Sequence, residues 1–217
     1  MRTGGRTESL MVKLADERSR RVVFLSHCLL NQNTRYLGGA FRPGVVDEVV
    51  DRFRREGIGI YQMPCPEQRA WGGVLKRYTL PFYGSGAGFR VRLMQWLLPL
   101  FLWHTRRVYR RLAREVAGDI EDYARSGFEV VGVVGIAGSP SCGVCRTLDL
   151  SRSLEVVASC PLERINRQTV DEAVGAAIRD GAGMFVEELR RQLGRKGVEI
   201  PFEEHDSLAA PGDPQRG

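Results

Sequence analysis

Three short apolar runs constrain this chain more than any other feature: RVVFLSHC at 21–28, IGIYQMPC at 58–65 and FEVVGVVGIAG at 128–138. Each is close to continuous in apolar residues, and the first and third are rich in branched ones. Such runs predict strands buried on both faces, which belong to parallel sheets covered by helices. Between the first two, PGVVDEVVDRFRREG (43–57) puts Val45, Val46, Val49, Val50 and Phe53 on one helical face. Pro43 suits the start of that helix and Gly57 its end. The pattern is a βαβ unit with a right-handed crossover. A longer helix fits from about 101 to 126, with Val108, Leu112 and Val116 stacked at i+4 and Gly127 ending it. The expected fold is therefore a three-layer α/β sandwich with a mainly parallel sheet.

The remaining segments carry weaker signals. Residues 68–92 read as mostly loop, and SLEVVAS (153–159) as a short strand. Thr169 and Glu172 have capping-box spacing ahead of Val170, Val174 and Ile178. AGMFVEELRRQLGRKG reads as a further helix, bent near Gly181 and Gly183. VEIPF (198–202) reads as a last strand, which Pro201 assigns to an edge. Residues 1–20 are expected to be a flexible segment, 21–203 a single α/β domain and 204–217 a disordered tail. The most apolar stretch, LMQWLLPLFLWH (93–104), is too short to span a bilayer and contains Pro99. It reads as a buried segment, with a dimer face or membrane-surface contact as alternatives. The first 21 residues lack the apolar core of a signal peptide, and the expectation is a cytoplasmic protein.

At 217 residues the chain suffices for one domain with a full core, and 43% hydrophobic with 27% charged residues fits a soluble globular protein. The net charge of +6 comes almost entirely from arginine. Such a surface attracts anionic ligands, RNA or membranes, although plain surface solvation also accounts for it. The five cysteines are odd in number and follow no dense secreted pattern, which argues against a disulfide framework.

The cysteines matter through their positions. The first strand runs out at Cys28, the second at Cys65, and the third leads into Ser139-Pro140-Ser141-Cys142. In a parallel sheet the carboxyl ends of the strands share one edge, where ligands of open α/β sheets bind. Three thiols converging there point to a metal or cluster site. Thiolates favour zinc, iron–sulfur or copper(I), and these alternatives stay open on residue type alone. His27 is a further ligand candidate, but on an extended strand it would point away from Cys28. Cys142-Gly-Val-Cys145 has redox-pair spacing without the usual surroundings, and Cys160 beside Pro161 reads as structural.

SHCLLNQNTRYLGG, PCPE and GSPSCG together resemble the three signature loops of the thiouracil desulfidases and their relatives, over roughly residues 20 to 145. The resemblance implies a Rossmann-like domain with a [4Fe-4S] cluster held by Cys28, Cys65 and Cys142. It further implies catalytic roles for Glu67 and Ser139, and desulfidation of a thiolated nucleobase or similar small thione at the open iron. Here the first loop has its own polar lining, His27, Asn31, Asn33 and Arg35, and the segment after CPE offers Arg69 and Trp71 as an anionic grip and a stacking face. Two other functions compete: sulfur trafficking to an acceptor such as tRNA, and a non-catalytic metal- or redox-sensing module.

Overall fold

The computed structural model describes residues 4–85 and 89–206. In chain order its elements are helix α1 (Gly4–Lys13), strand β1 (Arg21–Leu25), helices α2 (His27–Leu30) and α3 (Asp47–Arg55), strand β2 (Gly59–Gln62), helices α4 (Pro66–Ala70) and α5 (Phe89–Arg125), strands β3 (Glu129–Ile136) and β4 (Arg146–Leu148), helices α6 (Leu150–Ser159) and α7 (Arg167–Gly175), strand β5 (Ile178–Asp180), helix α8 (Met184–Lys196) and strand β6 (Phe202–His205). The apolar runs form a four-stranded parallel sheet in the order β2-β1-β3-β6, flanked by helices as a three-layer α/β sandwich. β1 is central and buried from Val22 to Leu25, as a run without polar alternation requires. Phe24 stacks on Tyr61 of β2 and meets Tyr123 of α5 edge-on, tying a helix to two strands. Phe185, Val186, Leu189 and Leu193 form the buried stripe of α8, which packs along α5.

Several expectations are corrected. SLEVVAS lies in α6: Asp149 caps the helix by accepting the Arg152 N–H, and Leu150, Leu154, Val157 and Ala158 are buried at helical spacing. The capping pair of α7 is Asn166 with Thr169, and Ile178 starts β5, which pairs antiparallel with β4 in a small second sheet. Residues 181–183 separate that strand from α8, whose C-terminal Gly197 takes a left-handed conformation. The last strand is β6, residues 202–205, with Pro201 just ahead of it on the sheet edge. Ordered structure thus extends past residue 203, while 207–217 lie outside the described residues. The segment ahead of β1 holds α1, almost wholly exposed.

The apolar segment 93–104 belongs to α5, which begins at Phe89 and continues through Pro99. It is not a buried segment. The run is apolar all round, and the core accepts one face of it, including Leu98, Phe101 and Leu102. Trp96 (78% exposed), Leu100 and Trp103 face outward. Among the described residues no helix is long and apolar enough to cross a membrane.

The loop after β3 folds back onto its own strand. Ile136 donates to the Cys142 carbonyl at 3.1 Å. A side chain on Gly135 would run into that carbonyl. Gly135→Ala is therefore expected to cost about 1–3 kcal/mol in chemical denaturation. Gly118→Ala, which meets open space on α5, should instead gain up to about 1 kcal/mol.

Candidate functional site

The loops after β1, β2 and β3 close around a cavity of about 100 Å³ whose lining includes Cys28, Cys65, Cys142, Glu67 and Ser139. Each thiol arrives differently. Cys28 stands in the first turn of α2, immediately after β1. Cys65 is the N-cap of α4, and its Sγ accepts the Gln68 N–H at 3.4 Å. Cys142 lies on the turn that folds back over Gly135. Because His27 and Cys28 occupy a helical turn rather than an extended strand, both line the cavity, contrary to the alternation expected from sequence.

Cys65 and Cys142 are buried and Cys28 partly so, and all three are free thiols. Burial pushes all three thiols up, Cys65 to about 12, because a thiolate loses hydration there. The three are near enough to act on one another electrostatically: Cys142 feels Cys28 and Cys65, and Cys65 feels Cys28. The metal-free site therefore holds neutral thiols, and metal loading would displace their protons. Burial lowers the His27 imidazole, leaving it neutral near pH 7. Among the described residues no group of three or more His, Cys, Asp or Glu could hold a single metal ion.

Glu67, in the first turn of α4, accepts a hydrogen bond from Ser141 Oγ at 2.9 Å. Ser139 and Ser141 hydroxyls are 3.1 Å apart, and Ser139 Oγ also accepts the N–H groups of Ser141 and Cys142. With Ser141 donating to Glu67, Ser139 donates to Ser141, giving a directed chain Ser139 to Ser141 to Glu67. Sequence reasoning misses Ser141; its signal is its place beside Cys142 in the same loop.

Two further hydroxyls escape sequence reasoning. Ser26 Oγ, at the end of β1, and Tyr109 Oη, on α5, are fully buried without a partner at hydrogen-bonding geometry. Ser26 approaches Cys142 and Tyr109 approaches Ser141 closely enough for each contact to favour the ionised thiol or phenol, and Glu67, Cys142 and Cys65 act electrostatically on Tyr109. An unpartnered buried hydroxyl is costly. Neither residue is among those lining the cavity; both stand behind its wall.

Other candidates fall elsewhere. Trp71 lines the cavity, but it is buried, donates from Nε1 to Thr105 Oγ1 at 3.0 Å and packs on Phe101. Arg69 and Asn33 are not among the lining residues; Asn31 accepts the Asn33 N–H and so spends its side chain on the turn. Cys145 is exposed and Cys160 partly buried, and neither is among the lining residues.

The Cys142 loop is pinned from the far end of the chain. Glu204 of β6 accepts the N–H groups of Val144, Cys145 and Arg146 at 2.7, 2.7 and 3.0 Å. Arg146 pairs in turn with Glu204 and Asp206. This is why residues 204–206 are ordered rather than part of a tail.

No family model matches the chain, and no solved structure matches it. An uncharacterized protein from Methanocaldococcus jannaschii is 23% identical over 127 residues, covering 58% of this chain and 70% of that protein.

Burial opposes ionisation of Glu204, but the three N–H groups and Arg146 prevail and hold its carboxyl below the ordinary range. A lowered folded value gives stability that is present above the unfolded value and lost as pH falls. Glu204→Gln should lower stability by about 2–3 kcal/mol at pH 7. Its deficit relative to the wild type should shrink below about pH 4.5 in parallel urea titrations. A deficit independent of pH would contradict this role.

Proposed function

We propose that the chain is a desulfidase that holds a [4Fe-4S] cluster on Cys28, Cys65 and Cys142 and releases sulfur from a small thione as sulfide. The observation that carries this reading is that three strand-end thiols, Glu67 and its serine chain line one cavity. The donor set suits the group. A four-iron cluster takes each thiolate on a different iron, so it needs donors spread around a cavity rather than gathered on one ion. Cys28, Cys65 and Cys142 reach the cavity from three separate loops.

Bound there, the cluster would supply one iron without a protein ligand, a Lewis acid for the thione sulfur. The rest of the chemistry belongs to the chain. The Glu67 carboxylate takes a proton from a water as its oxygen adds to the thiocarbonyl carbon. The same carboxyl then provides a proton as the C–S bond breaks and the carbonyl forms. Thione and water thus become carbonyl compound and hydrogen sulfide, with no net oxidation or reduction. Ser141 fixes the Glu67 oxygen by hydrogen bonding, and Ser139 is itself fixed by two backbone N–H groups, so the chain keeps one direction. Tyr36, Tyr83 and Trp71 contribute aromatic side chains to the walls that would exclude bulk water.

Anaerobically reconstituted protein given 2-thiouracil should release sulfide. Glu67→Gln should keep the wild-type iron content while the rate falls about 10²- to 10⁴-fold. Full-rate desulfidation by metal-free protein, or a wild-type rate in Glu67→Gln, would overturn the mechanism.

A further inference from the structure

Between Glu67 and Glu115 the chain has ten lysines and arginines but no aspartate or glutamate. The same stretch turns large apolar side chains outward on α5, where Trp96, Leu100 and Trp103 are each more than half exposed. Their spacing of four and then three residues places them on one face of the helix. Arg107, Arg110 and Arg114, all exposed, continue that face at the same spacing. The face is therefore apolar along one part of its length and cationic along the next. Arg107 joins the two, its guanidinium 5.8 Å from the Trp103 ring centroid. A groove of about 370 Å³ opens beside Leu100, walled by Leu97, Phe101, Phe82 and the exposed Tyr78, and carries the apolar area beyond the helix.

Few acids offset this charge. Arg111 pairs with Glu115, and Arg110 stands 4.0 Å from Glu188 of α8. Glu155 of α6 accepts a hydrogen bond from Gln95. Among the described residues no carboxylate pairs with Arg106, Arg107 or Arg114. Tryptophans and leucine running into unpaired arginines complement a bilayer interface, where indole rings sit at headgroup depth and cations meet anionic headgroups. Other occupants fit less well. A two-fold pairing of two copies centred on Leu100 would bring the arginines beyond Trp103 toward Arg92 of the other copy, with no acid on this face to answer them. Nucleic acid would engage the arginines but give the apolar groove nothing to bury.

We infer that this face of α5 docks on the surface of an anionic phospholipid bilayer. Trp96, Leu100 and Trp103 enter the interface while Arg107, Arg110 and Arg114 lie on the headgroups. The contact is peripheral, since among the described residues no helix is long and apolar enough to cross. It is independent of what the cavity at the strand ends holds.

The test is co-sedimentation of the full chain with vesicles of phosphatidylcholine alone, or of phosphatidylcholine and phosphatidylglycerol in equal parts. Binding to the mixed vesicles should be at least about tenfold tighter and should weaken as salt rises. Trp96→Ser with Trp103→Ser, and separately Arg107→Gln with Arg114→Gln, should each weaken it about tenfold or more. Phospholipid brominated on its acyl chains should quench the wild-type tryptophan emission. It should leave Trp96→Phe with Trp103→Phe unquenched, since that variant keeps only the buried Trp71. Absent or equal binding to the two kinds of vesicle overturns the proposal from the wild type alone, should a variant fail to fold. Binding without quenching, or binding that survives both pairs of substitutions, overturns it too. A dimer that the serine pair dissociates, without vesicle binding, assigns the face to a second copy. Salt-dependent tRNA binding that the glutamine pair abolishes, again without vesicle binding, assigns it to nucleic acid. Either result overturns the proposal.

Discussion

Because β1 lies between β2 and β3 with all three strands running the same way, their carboxyl ends open onto one edge of the sheet. The loops leaving the three strands are delivered to one place, although Cys28, Cys65 and Cys142 are far apart in sequence. Each arrival depends on local backbone chemistry: a helical turn for Cys28, a cap for Cys65, and for Cys142 a loop so close to its own strand that Gly135 can carry no side chain. Slip one parallel register by a residue and the thiols no longer share a cavity.

Burial then determines the chemistry. It keeps the three thiols protonated until something replaces their protons, and it leaves Ser26 and Tyr109 without partners. It also holds the Lys76 ammonium against the carbonyl oxygens of Thr34 and Val74, near enough to Cys28 and Cys65 to act on both electrostatically.

The central strands were legible because a branched, unbroken apolar run has few other solutions, and the cysteines at their ends were legible with them. Local patterns failed where a short apolar run has two solutions. Val156 and Val157 suggest a strand, but Asp149 caps that segment as a helix and its buried positions follow helical spacing. The stretch from 93 to 104 is apolar enough for a core, yet a core can receive only one face of a helix. The site residues that sequence reasoning missed are those brought in by tertiary packing. Tyr109 comes from the middle of α5, Lys76 from a loop without periodicity, and Glu204 from the far end of the chain. Nothing adjacent to them in sequence announces the cavity.

The central claim is that the three strand-end cysteines together hold one cluster. Its most direct test is the iron and acid-labile sulfide content, with the visible spectrum, of protein prepared without oxygen. Cys28→Ala, Cys65→Ala and Cys142→Ala would be compared with Cys145→Ala and Cys160→Ala. The account predicts about four irons and four sulfides per chain in the wild type and in the last two variants, with the content lost from each of the first three. Iron-free protein after anaerobic reconstitution, or full content in any of the first three variants, would contradict it.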